Sequence, residues 1–148
     1  MPRYVQTKFS TVNARGGPGD DFRLLWTYRA RALPLQVIAE TPDWRRVCDP
    51  EGGVAWVHRR TVSEARSVLR TSTRELPLRR RPSETSGASA VLAGRAIASL
   101  KTCDKGWCRI SADKAQGWVR QGEVWGTDDA PQCRLGAAPA SRPQAGGR

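Results

Sequence analysis

Several features that mark particular classes of protein are missing from this chain of 148 residues. No run of about 18 apolar residues occurs, so the sequence predicts no membrane-spanning helix. The first ten residues, MPRYVQTKFS, lack the apolar core of a secretory signal. We therefore expect either that the chain stays inside the cell or that a signal is encoded upstream of it.

Residues for catalysis and for phosphate binding are also scarce. His58 is the only histidine, and no Gly-x-Ser-x-Gly pattern accompanies it. The glycine-rich stretch NARGGPGDDF, residues 13–22, is not followed by the Gly-Lys-Ser or Gly-Lys-Thr of a phosphate-binding loop. The sequence therefore predicts a protein that is not an enzyme and that binds no cofactor.

What the chain does contain is positive charge and tryptophan. Its formal charge is +11, from 25 basic and 14 acidic residues, which favours attraction to polyanions such as nucleic acid. Most basic residues are arginine in a chain rich in alanine and glycine, so a GC-rich genome also accounts for part of the excess. The length of 148 residues gives room for one ordinary domain or two small ones, and the six tryptophans are the kind of large anchor on which small all-β modules rely.

The sequence repeats itself. DWRRVCDPEGGVAWVHR, from Asp43, aligns with GWCRISADKAQGWVRQ, from Gly106, and VNARGGP aligns with LPLRRRP further upstream. The second copy has arginines where the first has glycines, so the shared feature is an arginine and proline turn after a short strand. Four tryptophans recur at matching positions: Trp44 and Trp56 in the first copy, Trp107 and Trp118 in the second.

Each copy reads as short β-strands separated by turns. The segments LPLQVIAE, VAWVHR, AIASLKT and GWVR are rich in β-forming residues, and no stretch shows sustained helical periodicity. Several short strands in about 60 residues favour a small closed barrel, because closure removes exposed sheet edges. We therefore expect an all-β protein of two small barrels.

These residues resemble a known family. The series NARGGPG, WTYRARALPLQVIAE, WRRV and AWVH, with CDKGWCRISADKAQGWVR and the closing VWG, is similar to tandem bacterial Src-homology-3-like (SH3-like) domains of proteobacterial envelope proteins. The resemblance covers about Tyr4–Gly126 and implies two SH3-like β-barrels, residues 4–66 and 67–128. The remaining residues, 129–148, are mostly Ala, Pro, Gly and Arg, which predicts a disordered tail. Cys48 departs from the family pattern, which has a charged residue there, and the usual leader is absent.

The resemblance also implies where a ligand binds. It implies a groove that holds an extended peptide between aromatic rings, with acids beside it to meet a cation. The predicted ligand-binding residues lie in the first copy: Asp20, Asp21, Phe22, Trp26, Tyr28 and Arg31. The alternative for Trp26 and Tyr28 is that they fill the barrel mouth or the seam between the copies.

The repeat alignment suggests a disulfide in the second copy. It maps Cys103 onto Glu40 and Cys108 onto Arg45, so two thiols replace an opposite-charge pair on either side of one hairpin turn. Residues that face each other across antiparallel strands are close enough to be bridged, and we favour a Cys103–Cys108 disulfide in an oxidising compartment.

Other states of the four cysteines remain open. Cys103 and Cys108 could instead be buried free thiols. A structural zinc site needs paired ligands at close spacing, whereas Cys48, Cys133 and His58 are scattered singly, so no metal site is expected. Cys48 could pair with Cys133 if the tail folds back, although nothing in the sequence requires it.

Together these features predict a non-catalytic binding module. In this hypothesis the protein is periplasmic or secreted and holds peptidoglycan peptides or an extended segment of a partner protein. The alternatives are a basic nucleic-acid-binding barrel, which could be cytoplasmic, and a targeting appendage of a cell-wall enzyme. The oligomeric state is not predicted.

Overall fold

A computed structural model describes residues 3–133 and divides the chain into two compact units. The first is Met1–Ala65 with Asp129–Arg148, and the second is Arg66–Asp128. The chain therefore leaves the first unit, builds the second and then returns to the first. Residues 134–148, most of the predicted disordered tail, lie outside the described residues, whereas 129–133 belong to the described part of the first unit.

The first unit is one antiparallel sheet of seven strands. In chain order the strands are β1 Arg3–Thr7, β2 Val12–Arg15, β3 Leu24–Tyr28, β4 Pro34–Glu40, β5 Trp44–Cys48, β6 Val54–His58 and β7 Val62–Ser63. Their order across the sheet is β3-β2-β6-β5-β4-β1-β7. A 3-10 turn, Arg59–Thr61, joins β6 to β7.

The second unit is an antiparallel sheet of six strands. These strands are β8 Ser67–Leu69, β9 Leu76–Arg79, β10 Ala88–Leu92, β11 Ile97–Asp104, β12 Trp107–Ala112 and β13 Ala115–Arg120. Their order across the sheet is β10-β9-β13-β12-β11-β8. A 3-10 turn, Gln121–Glu123, follows β13, and Leu69 then bridges to Trp125.

The two units share one plan, which confirms the predicted all-β fold in tandem. Strand β1 pairs with β4 and β7 in the first unit, just as β8 pairs with β11 and bridges to Trp125 in the second. The one-pair contact Arg15↔Trp56 between β2 and β6 recurs as Arg79↔Trp118 between β9 and β13. Within residues 3–133 the helical elements are the two three-residue 3-10 turns, and neither is a candidate membrane span.

Each unit buries its own core, formed by alternate residues of its strands. Val47 and Ile110, which the repeat alignment matches, are both fully buried, as is Val57, while Val119 is nearly so. Trp44 and Trp107 are also buried, whereas Trp56 and Trp118 are half-buried. The repeated tryptophans therefore serve the shared fold, as large aromatic anchors do in small β domains.

The sheet of the second unit closes around a glycine. A Cβ at Gly117 would lie 2.7 Å from the carbonyl carbon of Leu78 and 2.9 Å from the carbonyl oxygen of Arg79. Only a residue without a side chain lets β13 approach β9 so closely. The neighbouring Trp118 and Arg79 can therefore face each other in register.

Candidate functional site

The loop between β2 and β3, residues 16–23, carries the predicted ligand-binding acids and is held by its own hydrogen bonds. Gly16 N donates to Arg23 O at 2.9 Å, and Phe22 N donates to Gly19 O at 3.2 Å. The Phe22 ring covers Gly17, where any Cβ would overlap it. These amides bond within the loop, so the glycines serve a tight turn and do not line a phosphate cradle.

Arg15 fixes the base of the same loop. Its Nη1 donates to Phe22 O at 3.1 Å. The loop is therefore held in one conformation while its tip faces solvent. Asp20 and Asp21 are exposed, and Phe22 leaves 45% of its surface exposed although it covers Gly17.

The structure separates the six predicted ligand residues into two groups. Asp20, Asp21, Phe22 and Arg31 are exposed, as a ligand-binding role requires. Tyr28 is fully buried and Trp26 nearly so, and their rings make an edge-to-face contact with centroids 6.2 Å apart. For both residues, this burial agrees with the alternative that they fill the barrel.

Of the predicted ligand-binding residues, Tyr28 is the one whose side chain is fully inside the first unit. Its hydroxyl donates to Asp49 Oδ2 at 2.7 Å inside the first unit. Asp49 Oδ1 in turn accepts from Glu51 N and Gly53 N at 2.8 and 3.0 Å, which closes the β5–β6 turn. Tyr28 therefore links the core to this turn. Because its side chain is fully buried, it exposes no surface to a ligand.

Two exposed apolar residues of the first unit were not predicted. Phe9 is 49% exposed and Leu24 is 46% exposed, the latter directly after the 16–23 loop. The alternation of buried and exposed residues along a strand does not predict the exposure of either side chain, because Phe9 lies between strands and Leu24 is the first residue of one. A large exposed apolar side chain next to the loop extends the surface on which a peptide could pack.

A row of arginine, tryptophan and arginine crosses three neighbouring strands in both units. In the first unit Trp56 faces Arg15 on one side and Arg46 on the other. In the second unit Trp118 faces Arg79 and Arg109 in the same way. The alignment of the two copies matches both arginines of each row, because it places Arg79 over Arg15 and Arg109 over Arg46.

In each unit, a second tryptophan contacts the residue that faces it on the neighbouring strand, and that residue is a histidine or an arginine. Trp44 packs edge-to-face on His58 with ring centroids 5.1 Å apart, and the guanidinium of Arg120 lies 4.6 Å from the Trp107 ring centroid. His58 Nδ1 also accepts from Arg60 N at 3.1 Å and caps the 3-10 turn. The single histidine therefore has a structural role at this turn.

The predicted Cys103–Cys108 disulfide is present. The two residues face each other in register with Cα atoms 4.0 Å apart. Their hairpin turns at Lys105 and Gly106, whose φ angles of 51° and 84° are both positive, as a type I′ turn requires. The short turn sets the register, and the register brings the two sulfur atoms together.

At the matching position of the first unit, an ion pair replaces the disulfide. Glu40 faces Arg45 in register, and its Oε1 accepts a hydrogen bond from Arg3 Nη2 at 2.7 Å and forms an ion pair with Arg45 Nε at 3.2 Å. The hydrogen bond from Arg3, helped by the charges of Arg3 and Arg45, holds the pKa of the Glu40 carboxyl below its ordinary value of 4.5.

Cys48 and Cys133 form a second disulfide, which the sequence left open. All four cysteines are therefore oxidised, and none is available to a metal as a thiolate. Within residues 3–133, no three potential metal ligands lie together. Two disulfides in a small domain protein fit an extracytoplasmic location.

Comparison with protein-family models identifies the units. The bacterial SH3 domain model matches residues 8–64 and again residues 72–126. The chain belongs to the bacterial SH3 domain family. Bacterial SH3 domains are typically non-catalytic binding modules that bind peptidoglycan or peptides.

Comparison with other proteins adds two distant similarities of shape. The structures of NlpC1 and NlpC2 from Trichomonas vaginalis match 84% of this chain at 11% identity, with TM-scores of 0.40 and 0.39. The chain covers only 46% and 48% of those two structures, or about half of their length. No curated protein matches this bacterial SH3 chain.

Proposed function

We propose that this tandem bacterial SH3 protein is a non-catalytic module of the cell envelope that holds an extended peptide, such as a peptidoglycan stem peptide. The observation that carries the proposal is the 16–23 loop. It is fixed by internal hydrogen bonds and presents an exposed ring, Phe22, beside the carboxylates of Asp20 and Asp21.

The chemistry of the loop suits a peptide that carries an amine. The Phe22 ring and the exposed Leu24 provide apolar surface for the peptide, and the two carboxylates provide acceptors for a cationic group. A loop already held in its binding conformation loses little conformational entropy when the ligand arrives. Trp26 and Arg31 lie outside this loop, because Trp26 packs against Tyr28 within β3 and Arg31 follows the opposite end of that strand.

The compartment follows from the same proposal. Both disulfides persist only where thiols are not kept reduced, and the periplasm and the cell exterior meet that condition. Peptidoglycan lies in the same compartment. The net charge of +11 favours the approach of a ligand with free carboxylates, which stem peptides carry.

Nucleic acid is the alternative ligand that the charge favours. Proteins that bind single strands offer aromatic rings on which successive bases stack. In the second unit Trp107 is buried and Trp118 is only half-buried, so the two do not form a series of exposed rings on which successive bases could stack. A role as the targeting appendage of a cell-wall enzyme is compatible with the peptide proposal, because the appendage would bind the same material.

The test compares two exposed phenylalanines in the full chain. Phe22→Ala should weaken co-sedimentation with purified peptidoglycan sacculi by about tenfold, because an aromatic anchor contributes 1–2 kcal/mol or more of binding free energy. Phe9→Ala, which removes an equally exposed ring outside the loop, is the matched control and should bind like the wild type. The melting temperatures of both variants should match the wild type.

Two results would contradict the proposal. One is equal sacculus binding by the wild type and both variants. The other is binding to single-stranded DNA that exceeds sacculus binding and falls steeply with salt. Asp21→Asn adds a check on charge, because a cationic ligand should bind this variant less tightly at low ionic strength.

A further inference from the structure

A cavity of about 230 Å³ opens in the second unit at the row formed by Arg79, Trp118 and Arg109. Arg80, Ser89 and Gln116 complete its polar wall, and Gly117 also lines it. Three arginines therefore line one cavity together with a half-buried tryptophan.

Two of these arginines carry charge that no acid balances. Among residues 3–133, the ion pairs of the second unit are Arg70–Glu123 and Arg120–Glu84, and neither includes a residue of the cavity. Arg79 Nη1 donates to Ser86 O at 2.8 Å, which fixes that side chain as part of the wall. Arg80 and Arg109 remain to meet an anion from solution.

The first unit has the same row of arginine, tryptophan and arginine but lacks the additional arginine, Arg80, that lines the cavity. Arg80 is replaced there by Gly16, and Ser89 by Leu25, whose Cδ2 would lie 3.8 Å from a Cβ at Gly16. The first arginine of that row, Arg15, is already bonded to Phe22 O. The row itself is thus common to both units, whereas the third arginine and the polar wall occur only in the second.

We propose that this cavity binds a carboxylate of an extended peptide. The planar guanidinium groups of Arg80 and Arg109 match a carboxylate in two-bond geometry, and the Trp118 indole offers a surface for the adjoining residue. Ser89 belongs to β10, the edge strand of the sheet, along which an extended chain can lie.

This inference deepens the proposed function and rests on it for the choice of a peptide ligand. A phosphate also suits arginine, but a nucleic-acid site needs exposed rings for stacking. The exposed large apolar residue among those described in the second unit is Val91, an aliphatic residue. The charge, and the lack of a series of exposed rings in this described part, therefore favour a carboxylate on a peptide.

The experiment titrates the full oxidised chain with N-acetyl-Ala-Ala, which has one free carboxylate, and with its C-terminal amide. NMR should show shifts of the Trp118 indole N–H and of the Arg80 and Arg109 Nε–H signals with the acid and none with the amide. Arg80→Gln and Arg109→Gln should each weaken binding by about tenfold, because each removes a charge-assisted hydrogen bond. Arg81→Gln, which removes the same charge from the next residue outside the cavity, should change the affinity less than twofold.

Three results would overturn the inference: equal shifts with acid and amide, equal weakening by Arg81→Gln, or displacement of the peptide by an eight-residue oligo-dT with a steep salt dependence. If Arg109→Gln unfolds the second unit, Arg80→Gln decides the matter, because Arg80 is exposed and its guanidinium has no ion pair among the described residues. Phe22→Ala should leave acid binding intact. Failure of the cavity and failure of the loop are therefore distinguishable.

Discussion

Cys133 is bonded to Cys48, which lies 85 positions earlier in the chain. Gln36, which faces Cys48 in register, binds the same returning segment through both ends of its side-chain amide. Its Nε2 donates to Ala130 O at 3.0 Å, and its Oε1 accepts from Gln132 N at 2.9 Å. The first unit is thus built to hold residues 129–133.

The second unit has no comparable attachment among the described residues. Ser99 and Ser111 face each other where the first unit has Gln36 and Cys48. Leu92 stands where the first unit has Tyr28, so a purely apolar residue replaces one that needs a hydrogen-bond partner. The polar groups in the first core are therefore linked to the returning segment and to the β5–β6 turn.

We predict that the two disulfides differ in their effect on stability. Cys133→Ser should lower the free energy of unfolding by about 4 kcal/mol, because the bond closes a long loop, whereas Cys103→Ser should cost about 2 kcal/mol. Urea unfolding without reductant measures both. An equal or larger loss for Cys103→Ser would contradict the prediction that the longer closed loop gives the larger stabilisation.

Removal of the Tyr28 hydroxyl tests the link between the core and the turn. Tyr28→Phe should destabilise the first unit by about 1 to 3 kcal/mol, because the buried Asp49 carboxylate loses a donor. Hydrogen exchange resolved by residue measures the two units separately, and the second unit serves as the internal control. Unchanged protection throughout the first unit would contradict the role assigned to this bond.

The lowered pKa of Glu40 predicts a pH dependence in the acid range. The unfolded chain binds a proton at Glu40 more readily than the folded chain, so the ion pair stabilises the fold above pH 4.5 and this contribution is lost as the pH falls through the lowered pKa. NMR titration should find the carboxyl pKa below 4.5 in the wild type and higher in Arg3→Gln. A wild-type pKa of 4.5 or above would rule out the effect.

Two glycines of the second unit should respond differently to the same substitution. Gly117→Ala forces a Cβ against Leu78 and Arg79 and should cost about 1 to 3 kcal/mol through overpacking. Gly122→Ala is the matched control, because nothing lies within 4 Å of its added Cβ. Thermal unfolding measures the difference, and similar melting temperatures for the two variants would show that β9 and β13 are not closely packed there.

The short-range features of this structure were predictable because neighbouring residues decide them. Strands alternate between core and solvent with a period of two, and a hairpin with a two-residue turn has a defined register. The alignment of Cys103 and Cys108 with Glu40 and Arg45 therefore identified a pair that the structure brings face to face.

Features that depend on the closure of each unit were not predictable in the same way. The burial of Tyr28 depends on Asp49, which lies 21 positions away and meets it only when the strands assemble. The cavity at Trp118 forms only when three strands lie side by side. The two copies share the row of arginine, tryptophan and arginine, and they differ where the second copy has Arg80 and the first has Gly16. The ligand-binding roles of Asp20, Asp21, Phe22 and Arg31 stay predictions.

The sequence by itself determined the repeat, the strand-rich character and the local cysteine pair, because each arises from spacing along a short stretch of chain. Only the tertiary structure decided that Cys133 returns to Cys48, that Tyr28 belongs to the core and that three arginines line one cavity with Trp118. These contacts join residues that are distant along the chain. Their proximity depends on how whole strands pack, which local preference does not specify.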